Sequence, residues 1–121
     1  GPLGEYHEVF VIDPTISTTL HLDSIPPVNE GDTVNFTGTL TRSDTDEGIP
    51  GQTIYLYDWN SNTVEDDLLG TGITDADGFF TITWTGQDLD PDDDTVEVYA
   101  YFEGNDELVS SDTPFYVFDV L

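Results

Sequence analysis

Cysteine, methionine and lysine are all absent from this chain of 121 residues, and Arg42 is its one basic residue. Without cysteine there is no disulfide framework and no thiolate chemistry. No apolar run approaches the roughly 18 residues that a membrane-spanning helix requires. No segment of useful length repeats its apolar residues at helical spacing, so helices are not expected. The missing basic residues stand against 26 Asp and Glu, for a formal net charge of −25. Nucleic acids and anionic membrane surfaces would be repelled by such a chain and are excluded as partners. His7 and His21 are too few and too scattered for a zinc site. No serine sits in a nucleophile elbow, and no glycine-rich phosphate loop is present. Carboxylate pairs carry no catalytic signal in a composition this acidic, because they arise everywhere by chance. The chain therefore reads as a non-enzyme.

What is present is acid, aromatic residues and turn chemistry. Self-repulsion opposes compaction unless cations or salt screen it, over a Debye length of about 8 Å at physiological salt. Three settings suit that charge: the solvated surface of a halophile's protein, a calcium-loaded module, or an acidic envelope protein that gathers cations. Aromatic residues make up 12% of the chain, and together with strand patterning they argue against disorder. The length fits one domain. Gly1–Gly4 read as the remnant of a cleaved purification tag, residues 5–15 as an N-terminal strand or linker, and residues 16–121 as the folded domain.

Alternation of apolar and polar residues marks the strands. Leu20 and Leu22 share a face within Ile16–Ile25, which ends at Pro26-Pro27. In Thr33–Thr41, Val34, Phe36 and Leu40 point inward and Asn35, Thr37 and Thr39 outward, with Gly38 as a bulge or a close-packing point. Ile54 and Leu56 alternate with Tyr55 and Tyr57. Leu68–Trp84 carries β-branched and aromatic flanks around Thr74-Asp75-Ala76-Asp77-Gly78 and reads as a β-hairpin, with Asp-Gly supplying the positive-φ position. Phe80, Ile82 and Trp84 share its inner face. Val96, Val98, Ala100 and Phe102 alternate against Glu97, Tyr99 and Tyr101, and Pro114–Leu121 forms a last strand. Seven or eight short strands with turns between them predict an all-β, immunoglobulin-like antiparallel β-sandwich.

Val28–Thr41 (VNEGDTVNFTGTLT), Gly48–Tyr57 (GIPGQTIYLY), Leu69–Trp84 (LGTGITDADGFFTITW), Tyr99–Gly104 and Ser110–Val120 resemble the immunoglobulin-like repeats of archaeal and bacterial cell-surface proteins. The resemblance covers roughly residues 16–121. Such repeats stand in tandem in S-layer proteins, adhesins and large secreted proteins. The Gly-Ile-Pro-Gly and Thr-Asp-Ala-Asp-Gly elements are also similar to prealbumin-like modules of peptidases and to pilin stalk domains. Some stalk modules close a Lys–Asn isopeptide bond, which a chain without lysine cannot form. The acidity makes the resemblance lean toward archaea of saline or marine habitats. It implies an extracellular place, neighbouring domains of the same chain or lattice as partners, and no fixed activity.

Four groups of residues remain as candidate sites. Asp88, Asp90, Asp92 and Asp94 alternate in one loop, where their oxygens could converge on Ca²⁺, a hard cation that takes about 6–8 oxygen ligands. Pro91 and the missing glycine and glutamate rule out an EF-hand, and a solvated acidic loop is the plainer reading. Asp75 and Asp77 could add ligands, although turn stabilisation explains them better. Tyr55, Tyr57, Tyr99 and Tyr101 face away from the core and could form one aromatic stripe for a sugar or protein partner. Cross-strand support of the sheet, or packing against Tyr6 and Phe10, is the plainer reading. Asn35-Phe36-Thr37 is an outward-facing glycosylation sequon. The expected function is a structural module of a secreted or surface protein binding Ca²⁺ or other cations through loop carboxylates, with adhesion through the tyrosines as the alternative.

Overall fold

The computed structural model describes residues 15–24, 27–29, 31–59, 67–85 and 95–119. All regular structure among them is β. Eight strands form two sheets: β1 (Thr18–Leu22), β2 (Thr33–Arg42), β3 (Thr53–Asp58), β4 (Asp67–Ile73), β5 (Phe79–Thr85), β6 (Thr95–Phe102), β7 (Ser111–Asp112) and β8 (Tyr116–Asp119). The smaller sheet has the order β1-β2-β5. The larger runs β4-β3-β6-β7, with β8 also pairing β6, and every strand pairing is antiparallel. This is the expected immunoglobulin-like antiparallel β-sandwich, with the fourth strand carried on the larger sheet.

Alternation becomes packing as expected. Phe36, Leu40, Phe80, Ile82 and Trp84 of the small sheet meet Ile54, Leu56, Val98, Ala100, Phe102 and Phe118 of the large one, all buried. Phe36, Trp84 and Phe118 form an aromatic triangle with ring centroids 5.7–6.0 Å apart, a spacing that rewards edge and tilted contacts. Gly38 is a close-packing point and not a bulge. Its register with Leu22 and Phe80 is unbroken, and a Cβ there would strike the His21 carbonyl and come within 2.6 Å of the Phe80 ring.

The Leu68–Trp84 hairpin is corrected by the structure. β4 pairs with β3 and β5 with β2, so the two flanks of the Asp-Gly turn belong to different sheets. The turn itself has hairpin chemistry. Asp75 and Phe79 are joined by an N–H to carbonyl bond of 2.8 Å, and Gly78 donates to the Asp75 carbonyl at 3.0 Å with φ +83°. Beyond this single pair the chains part. Thr74 donates to the Gln52 carbonyl on one side, and Gly78 accepts from Leu40 on the other. Glycine also lets β4 lie face to face over β5, since a Cβ at Gly72 would sit 2.5 Å from the Thr81 carbonyl oxygen. The turn is a corner between layers.

The first described strand ties the sheets together. Ile16 donates to Glu107 and accepts from Val109, in a parallel bridge to Leu108, while β1 pairs β2. The Thr18 hydroxyl bonds the Val109 carbonyl and the Ser111 hydroxyl, both at 2.8 Å.

Candidate functional site

Two faces look outward, and they differ in chemistry. On the small sheet, β2 and β5 pair Thr33 with Thr85, Asn35 with Thr83, and Thr37 with Thr81, giving a hydroxyl-rich surface, at whose edge the Thr37 hydroxyl donates to the Asp23 carboxylate at 2.8 Å. Asn35 lies exposed at its centre, with its carboxamide oxygen accepting from the Thr83 hydroxyl at 2.8 Å.

The outer face of the large sheet is aromatic. Register sets Tyr55 opposite Tyr101 and Tyr57 opposite Tyr99, so the four predicted tyrosines do share one patch. Tyr55 and Tyr57 stack at 6.3 Å, and Tyr57 and Tyr99 at 5.5 Å, with interplanar angles of 26° and 23°. Two rings not foreseen extend the patch. Tyr99 meets Phe115 at 5.6 Å and 66°, and Phe115 meets Trp59 at 5.3 Å. Phe115 is 52% exposed and Trp59 38%. Trp59 continues the odd-numbered phase of Tyr55 and Tyr57, a signal present in the sequence. Phe115 carried none, because the strand pairing to β6 is interrupted between β7 and β8, where it lies.

That interruption shapes an open groove of about 540 Å³ lined by Tyr99, Asp112, Thr113, Pro114 and Phe115. Pro114 has no N–H to give to a ladder. The chain compensates through Thr113, buried in the edge. Its N–H donates to the Ala100 carbonyl at 3.0 Å, and its hydroxyl accepts from the Ala100 N–H at 2.9 Å. A side chain thus replaces the backbone acceptor that the interrupted strand withholds.

Carboxylates rim the rings. Glu97 follows the outward phase of Tyr99 and Tyr101, Asp112 pairs with Tyr101, and Glu103 accepts a long 3.5 Å bond from the Tyr55 hydroxyl. The negative charge of Glu103, aided by partial desolvation, raises the Tyr55 phenol above its ordinary value. Arg42 is engaged elsewhere, holding Asp44 in a two-pronged contact of 3.0 and 3.1 Å. The hydrogen bond from Arg42 holds the Asp44 carboxyl below the usual range.

The acidic candidates divide. Asp75 is a turn residue, its Oδ1 accepting from the N–H groups of Asp77 and Phe79 at 2.8 and 3.0 Å. Asp77 is exposed beside it. Asp88, Asp90, Asp92 and Asp94 lie outside the described residues, as do Tyr6 and Phe10. Among the described residues, no group of three or more His, Asp or Glu is placed to hold a metal ion. Asp58 was not foreseen: it ends β3 on the inward phase of Ile54 and Leu56 and is buried. No described helix is long and apolar enough to cross a membrane.

Compared with known proteins, the chain matches no family model and no curated protein.

Proposed function

We propose that the chain is a non-enzymatic structural module of a secreted or cell-surface protein of the S-layer type, acting as a spacer between neighbouring domains. One observation carries the reading: the path of the first and last described strands. Ile16 starts beside Leu108, at the Phe102–Ser111 end of the large sheet, whereas β8 ends at Asp119, paired with Thr95. Those ends are separated by the length of β6, about 23 Å at roughly 3.3 Å per residue. Tension applied through the two ends would load the contacts of Ile16 and Thr18 with Val109 and Ser111 in shear, several bonds at once. Pulling a single molecule by its ends tests this. A distinct unfolding force that Thr18→Val lowers is expected, and unfolding without resistance would remove the spacer reading. The archaeal surface origin rests on the acidity and the resemblance, and labelling of intact source cells with an antibody to the domain tests it.

A second reading, an adhesion module for a carbohydrate or protein, is favoured by the ring series from Tyr55 to Trp59. Ca²⁺ binding at Asp88–Asp94, with Asp75 and Asp77 as added ligands, is proposed on loop spacing and net charge alone.

A further inference from the structure

We infer that the groove between Tyr99 and Phe115 receives a lysine or arginine side chain from a basic protein partner. This commits the adhesion reading, on which it rests, to one class of occupant. Three observations converge. The rings of Tyr99 and Phe115 meet at 66° with centroids 5.6 Å apart, so they form a corner of aromatic walls and not a flat shelf. Asp112 stands on the wall of the same groove, and Glu97 and Glu103 flank the ring series. Cations bind over aromatic faces within about 6 Å of the centroid, and a carboxylate beside the ring adds to the attraction. Lysine is absent from the chain, and its one arginine is held by Asp44.

Charge selects the partner class. A net charge of −25 repels anionic ligands and draws in basic ones. Along Tyr55, Tyr57 and Tyr99 the rings lie near-parallel with centroids 5.5–6.3 Å apart, whereas Tyr99 and Phe115 meet at 66°. The angled end at Phe115 is where a compact cationic group fits.

The test titrates the whole chain with a capped Gly-Arg-Gly-Arg-Gly peptide and with its citrulline counterpart at 0.15 M salt, following amide and aromatic NMR shifts. The arginine peptide is expected to shift Tyr99, Phe115 and Trp59. Phe115→Ala is expected to weaken it about tenfold and Asp112→Asn several-fold, while Asp32→Asn, in the turn before β2, leaves it within about twofold. Phe115 is half exposed, and thermal melting of the variant checks that it folds. Equal binding of the arginine and citrulline peptides would overturn the inference. So would equal losses in Phe115→Ala and Asp32→Asn, because binding would then be diffuse charge attraction. If neutral oligosaccharides shift these rings and the arginine peptide does not, the adhesion reading stands and the basic partner is rejected. If no ligand moves the rings, both fall.

Discussion

Gly48 and Gly78 meet backbone to backbone: a Cβ on Gly78 would lie 2.7 Å from the Gly48 Cα and 2.5 Å from the Leu40 carbonyl oxygen. The two glycines come from separate loops, Gly-Ile-Pro-Gly and Asp-Ala-Asp-Gly. Their contact lets the corner turn lie against the edge of β2, where the Ile49 N–H donates to the Leu40 carbonyl and the Leu40 N–H to the Gly78 carbonyl, both at 2.9 Å.

Gly78→Ala is therefore expected to destabilise the domain by about 3 kcal/mol, combining a positive φ with a backbone clash. Gly51 has a similar φ of +73° but nothing near its absent Cβ, so Gly51→Ala should cost only about 1 kcal/mol. Urea denaturation of the two variants measures the difference. Equal losses would mean that conformation alone matters and that the contact contributes nothing.

Thr113→Val keeps the shape of the side chain and removes the acceptor for the Ala100 N–H. The stranded donor should cost about 1–3 kcal/mol, against a few tenths for Thr83→Val on the exposed face. Hydrogen exchange at the Ala100 amide should accelerate well beyond that of its neighbours. Unchanged protection would show that another group takes over the bond.

Acid should act on Asp44 later than on an ordinary aspartate. Its carboxyl is held low in the folded state by Arg42, so its stabilising contribution is present above the unfolded value of about 3.9 and is lost as pH falls through the lower folded value. Arg42→Gln should move the Asp44 titration, followed by carboxyl NMR, back up toward the ordinary value. Added salt should shrink the shift, because the pair is open to solvent.

Millimolar Ca²⁺ should raise the melting temperature relative to EDTA at fixed ionic strength. At 10 mM Ca²⁺ and a dissociation constant of about 10⁻³ M, linkage stabilises the fold by about 1.4 kcal/mol, or roughly 5 °C for a domain of this size. Replacing Asp88, Asp90, Asp92 and Asp94 by Asn should abolish the calcium increment. Equal melting with and without Ca²⁺ would exclude the site.

Several features were legible one residue at a time. Phe36, Ile54, Ile82 and Val98 announced their burial because a strand turns alternate side chains to opposite faces. Asp75 announced its turn through a carboxylate that caps nearby N–H groups. The tyrosines were visible as outward residues for the same reason as the core was visible inward. Phe115 was not, since Pro114 breaks the alternation that would have assigned its side.

Local chemistry by itself thus determined the strands, their faces, the turns and the charge of this protein, because each depends on neighbours within a few residues. Which strand pairs with which was decided only in three dimensions. The turn at Asp75–Phe79 closes as a hairpin turn does, yet β5 gains more by pairing β2 over seven positions and burying Phe80, Ile82 and Trp84 than by zipping onto β4. Burial against the opposite sheet outweighs the local ladder, and Gly70 and Gly72 let the layers approach. The same partition set β3 beside β6 and so gathered the aromatic rings, from three separate segments, on one face.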